Sequence, residues 1–512
     1  MDIFDNLILG FTVALSLKNL MYCFIGVFVG TAIGVLPGIG PLVTIAMLLP
    51  ITFNLPPIPA LIMLAGVYYG SQYGGSTTSI LVNLPGETAS VVTCLDGYQM
   101  ARQGRAGPAL AIAAIASFFA GCVGTLLIAV AGPPIAEIAF KFGAAEYFSM
   151  MLMALIAASC LAHGDTVKSL AMVFLGLLLG IIGTDVNSGM ARYSFGIAEL
   201  TDGIGFTVIA VGLFAISEIV KNLESGGEEV HEVFTDIKHV YPTVDDLRLS
   251  TGPIIRGTAV GSFFGTLPGT GPAISSFASY MIEKKVAKDP SRFGKGAIEG
   301  VAGPEAANNA AAQTSFIPTL TLGIPGSATM ALMLGALTIQ GIAPGPQVMT
   351  QRPDLFWGLI ASMWIGNAML VILNLPLVGM WVKLLKIPYR WLFPSILMFC
   401  AVGNYSINNS SMDLYLVALF GVLGYVLMKL ECEPAPLILA YVLGPLMEEN
   451  LRRALLISRG DPSVFFTRPI SLAFMIVAVI ILITMILPAV RKKKEQAYEE
   501  GGGEAPPRRT DA

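Results

Sequence analysis

The sequence predicts an all-α polytopic membrane protein. Of its 512 residues, 54% are hydrophobic and only 12% are charged, whereas soluble domains carry about 25% charged residues. Apolar runs of roughly 18 or more residues, the length of a membrane-crossing helix, follow one another along the chain. The 55 glycines and 32 prolines fit this class, because small residues let membrane helices approach closely and prolines interrupt them. We expect about ten to twelve transmembrane helices in two pseudo-symmetric halves, with broken or re-entrant helices among them.

Two matched Pro/Gly segments interrupt the apolar runs. The first, GVLPGIGPLVTIA, occupies residues 34–46, and the second, GTLPGTGPAISSF, occupies residues 265–277. Identical residues match at one constant offset, namely Gly34, Leu36, Pro37, Gly38, Gly40 and Pro41 with Gly265, Leu267, Pro268, Gly269, Gly271 and Pro272. Unwound backbone survives in lipid only where it is buried in protein or lines a wet cavity. Paired breaks in corresponding positions of two halves therefore indicate a transporter binding site.

A further break follows each of these segments. The run YYGSQYGGSTTSILVNLPGE, residues 68–87, breaks at Pro85–Gly86, and Pro325–Gly326 corresponds to it in the run at 303–330. Plainer spans fill the remainder of both halves, near 108–132, 144–162, 166–184, 203–221, 354–382, 391–405, 412–430, 434–447 and 469–489. The second half thus restarts the pattern of the first.

The charged segments divide the chain. We expect an N-terminal transmembrane repeat at 1–221, a polar linker at 222–252, a C-terminal transmembrane repeat at 253–490 and a disordered charged tail at 491–512. The Lys/Arg bias of the loops swaps between the halves, which favours inverted repeats. An even number of predicted crossings separates the two copies and favours parallel repeats instead, unless one broken segment is a re-entrant hairpin. Both arrangements stay open.

The first breaks predict an anion site. A proline at the first helical position follows a loop glycine in both, so each break reads as the start of a half-helix with free N–H groups and a positive dipole end. Hydroxyl and amide groups nearby complete the predicted substrate-binding set, which is Gly38, Gly40, Thr44, Thr77, Thr78, Asn83, Gly269, Gly271, Ser275 and Ser276. The alternatives are a structural kink and hydroxyls that bond back to their own helix.

An acidic residue in the run at 303–330 predicts an ion-coupling site. Glu305 lies beside Asn308 and Asn309 in a helix of small residues, and an intramembrane carboxylate is a functional candidate by default. Glu305 would coordinate Na⁺ together with Asn308, Asn309 and freed carbonyls, or it would carry a proton. The alternative is a helix-start acid at the membrane interface, since Gly303–Pro304 would open a helix. Glu87 has the same two interpretations.

Other classes of function find no support in the sequence. No phosphate-binding loop, H-E-x-x-H or G-x-S-x-G motif occurs, so we expect no enzymatic activity. The six cysteines are scattered and the three histidines cluster with no cysteine, so we expect no cofactor, and no metal other than a coupling Na⁺. The net charge of −4 resides in loops and does not indicate nucleic-acid binding. The N-terminus lacks a basic segment and a cleavage site, so we expect no cleaved signal peptide.

The repeated G-x-L-P-G-x-G-P motif, the run at 68–87 and the sequence PEAANNAAA at 304–312 resemble the large membrane subunit (TctA type) of the tripartite tricarboxylate transporters. The resemblance covers roughly residues 15–490. It implies a bacterial inner-membrane secondary transporter that imports di- and tricarboxylates such as citrate, driven by a Na⁺ or H⁺ gradient. It also implies two protein partners, a small four-helix membrane subunit and a periplasmic solute-binding protein, as well as a surrounding lipid membrane. Gln313–Thr314 stand where the family pattern has paired small residues, which leaves the choice of substrate open.

Rival interpretations make different predictions. A stand-alone organic-anion exporter or channel of the same fold would not need a binding protein for transport. A membrane-embedded enzyme or lipid flippase would turn over a lipid substrate by itself. A purely structural membrane partner would tolerate Gly→Val at Gly38 or Gly269.

Overall fold

The computed structural model describes residues 3–36, 40–161, 165–185, 188–224, 241–267, 270–385 and 389–486. Gly38, Gly269, most of the predicted linker and the predicted tail lie outside the described residues. The described chain is helical almost throughout, with one two-residue hairpin pair, which confirms the all-α polytopic class.

The described α-helices are, in chain order, α1 (Ile3–Ala14), α2 (Leu17–Val35), α3 (Pro41–Thr52), α4 (Pro57–Val82), α5 (Val91–Thr93), α6 (Gln99–Arg102), α7 (Ala106–Ala139), α8 (Ala144–Leu161), α9 (Thr166–Gly180), α10 (Phe206–Ala210), α11 (Ser217–Glu224), α12 (Val244–Gly265), α13 (Gly271–Val286), α14 (Glu299–Thr314), α15 (Phe316–Thr321), α16 (Ala328–Ile339), α17 (Gln347–Gln351), α18 (Pro353–Asn374), α19 (Val378–Leu384), α20 (Tyr389–Asn408), α21 (Ser411–Lys429), α22 (Ala435–Ile457), α23 (Val464–Thr467) and α24 (Pro469–Ile486). Single turns of 3₁₀-helix lie at Thr88–Ser90, Ala198–Leu200 and Pro290–Arg292, and π-helical turns at Cys94–Tyr98 and Val211–Ile216. Strands β1 (Gly183–Thr184) and β2 (Ala191–Arg192) pair antiparallel, with Gly183 opposite Arg192.

Five described segments are long and apolar enough to cross a membrane: Leu17–Val35, Ala106–Ala139, Phe206–Glu224, Pro353–Asn374 and Ser411–Lys429. Further apolar helices of 10–17 residues include α1, α3, α9 and α16. Interrupted helices produce such short apolar pieces, because a broken span divides one membrane-length run into two. The expected total of ten to twelve crossings stays a prediction.

The chain divides into two compact units. One comprises Met1–Phe140 and Gly205–Val426, and the other comprises Lys141–Ile204 and Leu427–Ala512. Both predicted halves contribute residues to each unit. The predicted repeat boundaries, which rest on sequence symmetry, stay a prediction. All residues discussed below belong to the larger unit.

The structure contains both first breaks. Helix α2 ends at Val35 and α3 begins at Pro41, while α12 ends at Gly265 and α13 begins at Gly271. In each case the new half-helix carries a proline in its first turn. That position tolerates proline because the missing N–H has no helical acceptor there.

The second breaks share a backbone conformation as well as a sequence. Asn83 follows the end of α4 in the left-handed region with φ 61°, and Gly323 follows the end of α15 with φ 72°. Glu87 and Ser327 then cap the next helical turns in an extended conformation, with φ −153° and −157°. Both pairs are separated by 240 residues. The repeat predicted from sequence therefore extends to the local geometry of the break.

Each half also contains the same close helix pair. Three glycines, one turn apart, face backbone carbonyls of the partner helix, where an added Cβ would overlap the carbonyl oxygen. In the first half Gly26, Gly30 and Gly34 of α2 face Met63, Val67 and Ser71 of α4, and in the second half Gly257, Gly261 and Gly265 of α12 face Gly303, Ala307 and Ala311 of α14. Small residues at such contacts let membrane helices pack backbone to backbone.

Long helices of each half pack against helices of the other half. Helix α4 of the first half packs on α18 of the second, and α14 of the second half packs on α7 of the first. Tyr69 and Asn309, which are 240 residues apart like the residues of the second breaks, take part in these contacts: the Tyr69 hydroxyl approaches the Ser362 main-chain carbonyl at 3.5 Å, and the Asn309 amide donates to the Ser117 hydroxyl at 2.7 Å. Helices of both predicted halves therefore pack together in one core.

The glycine contacts predict an unequal response to added methyl groups. A Cβ at Gly30 would lie 2.8 Å from the Val67 Cα, so Gly30→Ala forces α2 and α4 apart and should lower the free energy of unfolding by about 1–3 kcal/mol. Gly379 of α19 has open space around its Cβ position, so Gly379→Ala should not destabilise the protein. Thermal unfolding of both variants in detergent measures the difference, and equal stabilities would contradict the packing described here.

Candidate functional site

The half-helix starts bring the predicted glycines and hydroxyls into matched positions. The Thr44 hydroxyl donates to the Gly40 carbonyl at 3.0 Å, and the Ser275 hydroxyl donates to the Gly271 carbonyl at the same distance. The Ser276 hydroxyl is also taken by backbone carbonyls. These hydroxyl protons are therefore engaged within the protein, as the alternative interpretation of back-bonded hydroxyls anticipated.

The backbone amides of the same half-helices differ from the hydroxyls. The N-cap residues of α3 and α13, Gly40 and Thr270, make no side-chain cap hydrogen bond. The first N–H groups of a helix have no partner within the helix, and the helix dipole adds a positive potential there. These amides are the groups through which each break can attract an anion.

The two breaks of each half lie against one another. A Cβ at Gly86 would overlap the carbonyl oxygen of Gly34, and a Cβ at Gly326 would lie 3.4 Å from the carbonyl oxygen of Gly265. In both halves, the Pro–Gly loop of the second break thus covers the end of the helix that precedes the first break. The four interruptions of the helices therefore form two pairs, one in each half.

The predicted residues of the second break in the first half have separate surroundings. Thr77 is buried, and its hydroxyl faces the Tyr73 carbonyl of its own helix at 3.5 Å. Thr78 is also buried, and its hydroxyl donates to the Val35 carbonyl at 2.6 Å, which satisfies the last turn of α2. Asn83 is exposed. Thr78 therefore has a structural task at the break, and Asn83 is the accessible member of this group.

Glu305 lies at the contact between the two halves. Its side chain is fully buried on α14, and its carboxylate accepts hydrogen bonds from the hydroxyls of Ser76 at 2.5 Å and of Thr93. Ser76 belongs to α4 and Thr93 to α5, so both donors come from the first half. Thr93 lies outside the polar run that attracts attention in the sequence, and only the fold reveals its role.

Glu87 lies in the same neighbourhood. Its carboxylate accepts a hydrogen bond from the Asn308 side-chain amide at 2.9 Å, and Asn308 follows Glu305 by one helical turn. Glu87 is only partly buried and caps the turn Thr88–Ser90 through a capping box. We call Ser76, Glu87, Thr93, Glu305 and Asn308 the carboxylate cluster.

The carboxylate cluster lacks a positive partner. Within the described part of the chain, no Lys, Arg or His forms an ion pair with Glu87 or Glu305. A buried carboxylate whose donors are only neutral groups is costly to keep ionised. The cluster is therefore suited to take up a proton or a monovalent cation.

Asp96 provides a contrast within the same unit. It is also fully buried, but it accepts hydrogen bonds from the Tyr280 hydroxyl at 3.0 Å and from the backbone amides of Gly296 and Ala297 at 2.8 Å. Backbone amides at fixed positions stabilise a carboxylate and hold a loop in place. Asp96 therefore fastens the loop before α14 to the first half, which is a structural role.

The Asn309 side chain, unlike that of Asn308, forms no described hydrogen bond with a carboxylate group of the carboxylate cluster. Its amide group donates to the Ser117 hydroxyl of α7 and, at 3.2 Å, to the main-chain carbonyl of Glu305. The structure thus brings Glu305 and Asn308 together with Glu87, and it directs Asn309 towards α7. No group of three or more His, Cys, Asp or Glu side chains suited to a metal ion occurs among the residues that the structure describes.

One family model and two curated relatives match the chain. The family model described as "Tripartite tricarboxylate transporter TctA family" matches residues 20–439. A curated relative from Agrobacterium vitis, described as an uncharacterised 52.8 kDa protein in the TAR-I ttuC′ 3′ region, is 58% identical over 480 residues, which are 94% of this chain and 95% of the relative. An uncharacterised protein in the TAR-II ttuC′ 3′ region of the same organism is 63% identical over 215 residues, 42% of this chain and 89% of the relative. No solved structure matches the chain significantly.

Proposed function

Because this chain belongs to the tripartite tricarboxylate transporter TctA family, we propose that it is the large permease subunit of a binding-protein-dependent secondary transporter that imports organic anions. The family assigns it to membrane transport, in a system that contains other subunits. In our proposal those partners are a small four-helix membrane subunit and a periplasmic solute-binding protein, and the location is a bacterial inner membrane. Di- and tricarboxylates such as citrate are the proposed substrates.

One observation carries the proposal: two matched half-helices, α3 and α13, begin inside apolar runs without side-chain caps. Their first N–H groups and dipole ends attract an anion without a buried cationic side chain. Gly40 lets a ligand approach the backbone, because open space surrounds its Cβ position. This arrangement favours a carboxylate over a cation or a neutral solute.

The carboxylate cluster supports coupling to a cation gradient. A carboxylate substrate that crosses the membrane alone carries its full charge through the apolar interior, which is costly. In our proposal a monovalent cation or proton bound at Glu305 or Glu87 neutralises one of these carboxylates, which have only neutral donors, and so lowers the negative charge that the substrate meets. Substrate and cation then stabilise one another in the occupied state, which is the requirement for coupled transport.

Uptake into vesicles that contain all three components tests the function. Labelled di- and tricarboxylates are supplied under Na⁺ and pH gradients set separately. We expect saturable accumulation of at least one carboxylate that requires the binding protein and one of the two gradients. Uptake that needs no binding protein would favour a stand-alone exporter or channel, and failure of every carboxylate would reject the proposed substrate class.

Gly40→Val tests the anion site. The backbone at Gly40 has φ −79° and ψ 178°, which valine adopts without strain, and apart from the chain neighbours of Gly40 no atom of the described residues lies within 4 Å of the Cβ position. The variant should therefore fold normally, yet its side chain should hinder access to the first N–H groups of α3. We expect uptake to fall about tenfold or more, which corresponds to one lost hydrogen bond to a charged group. Normal uptake by the folded variant would remove this break from the substrate site.

Glu305→Gln tests the coupling role, with Glu299→Gln as the matched control. Both residues lie on α14, but Glu299 forms a partly exposed ion pair with Arg292 at 3.0 Å. Glutamine keeps the size of Glu305 and removes its charge, so gradient-driven accumulation should fall to the level seen without a gradient. Glu299→Gln should leave accumulation unchanged. Unaltered ion dependence in Glu305→Gln would exclude Glu305 from coupling.

A further inference from the structure

A face of small residues on α7 receives three buried amide side chains. Its residues lie on successive helical turns, so they form one stripe along the helix. The contacts are, in order along α7, Ser117 with Asn309, Gly121 with Asn367 and Gly124 with Gln313. A Cβ at Gly121 would lie 2.7 Å from the amide oxygen of Asn367, so only glycine leaves room for that amide. Helices α7, α14 and α18 thus meet at one polar seam.

These amides are buried without enough partners. Asn309, Gln313 and Asn367 are each at most 1% exposed. Within the described chain, the side-chain oxygen of Asn309, the side-chain nitrogen of Asn367 and both amide atoms of Gln313 lack a hydrogen-bond partner. Buried polar groups in native proteins are almost always satisfied, and exceptions call for an explanation such as a bound ion or water. Three unsatisfied amides on one seam call for a common ligand.

The chemistry of the seam identifies the class of ligand. Neutral oxygen atoms are available from Asn309 and Gln313. The Asn367 oxygen accepts a hydrogen bond from the Tyr73 hydroxyl at 3.5 Å. A turn of the Asn367 amide brings this oxygen to the unpartnered position and leaves the amide nitrogen to donate to the Tyr73 hydroxyl. The described chain places no basic side chain in an ion pair there, and Glu305 precedes Asn309 by one turn of α14, with its main-chain carbonyl bonded to the Asn309 amide. An anion would be repelled by that carboxylate. A divalent metal ion prefers carboxylate ligands, which the seam itself does not supply.

We infer that the α7 seam, formed by Asn309, Gln313 and Asn367, binds a monovalent cation, with Na⁺ as the natural candidate because its ligands are hard oxygen atoms. This site is separate from the carboxylate cluster, although both lie on α14. As a coupling site it rests on the proposed function; as a cation site it does not. The negative charge that balances the ion comes from Glu305, one turn away.

Na⁺ binding by the purified chain tests the inference without transport. The thermal unfolding temperature of the parent protein, in which Glu305 supplies the balancing charge, is followed in detergent while NaCl replaces choline chloride at constant ionic strength. A ligand that binds only the folded state raises this temperature in a saturable way. We expect such a rise with Na⁺ and not with choline. Its absence, or an equal rise with choline, would overturn the proposal.

Variants of Gln313 then locate the site. Gln313→Leu should weaken the apparent Na⁺ affinity about tenfold or more, as expected for one lost polar contact to a charge. Gln313→Glu should strengthen it, because a carboxylate attracts the cation. Asn374→Leu is the matched control: Asn374 is also a buried amide of α18 with an unpartnered oxygen, but it lies two turns beyond Asn367. It should leave the affinity unchanged.

The outcomes separate the site from the transport function. Equal Na⁺ titrations for the Leu, Glu and parent proteins would reject the α7 seam and leave the proposed function intact. Absence of carboxylate uptake, with a Na⁺ titration that responds to both Gln313 variants, would reject the proposed function and keep the cation site. If Gln313→Leu does not fold, Gln313→Ala takes its place, because a water-filled or purely structural seam would keep the Na⁺ titration of the parent protein when this amide is removed.

Discussion

Backbone amides and carbonyls that leave a helix inside a membrane must find partners within the protein, and this constraint shapes the described core. At the first break, the Thr78 hydroxyl takes the carbonyl of Val35, the last residue of α2. Gly86 approaches the neighbouring Gly34 carbonyl so closely that no side chain fits between them. The glycines along α2 and α12 serve the same end, since backbone-to-backbone packing keeps lipid away from the ends of the broken helices. What stays unsatisfied, the first N–H groups of the half-helices, is then available to a ligand.

The two halves share the backbone conformation of the breaks, but they carry different side chains at equivalent positions. Glu87 and Ser327 occupy equivalent cap positions with nearly the same backbone conformation. Only the first of them is acidic, and the partner of Glu87, Asn308, is equivalent to the aromatic Tyr68. Likewise Asn309 is equivalent to Tyr69, which contacts Ser362 as Asn309 contacts Ser117. One half therefore presents aromatic groups where the other presents amides.

Local sequence signals predict where the helices break. Which side chains come together at the candidate site depends on tertiary contacts, which the local sequence does not indicate. Clustered prolines and glycines favour a helix break, so the positions of the breaks and the start of α3 at Pro41 could be predicted from the repeated motif, although single prolines such as Pro50 and Pro304 lie inside helices. Glu305 could also be predicted from a local signal, because it is a carboxylate within a run of small residues. Its donor Thr93 could not be predicted in this way, because nothing local to residues 91–93 indicates which helix they face. The contact of the Asn309 side chain with α7 depends on the packing of α14 against α7, and the sequence of one helix does not indicate which helix it packs against.

The inequality between the halves fits the proposed coupled transport. Two identical halves would place a carboxylate at both ends of the site, and the second would repel the anion that the half-helix amides attract. With Glu87 and Glu305 at one contact between the halves, two carboxylates lie where a cation can bind. The N-cap residues of α3 and α13 make no side-chain cap hydrogen bond. In the proposed mechanism, the symmetric backbone supplies two similar ends that attract the anion, and the departure from symmetry in the side chains supplies one place for the cation that accompanies it.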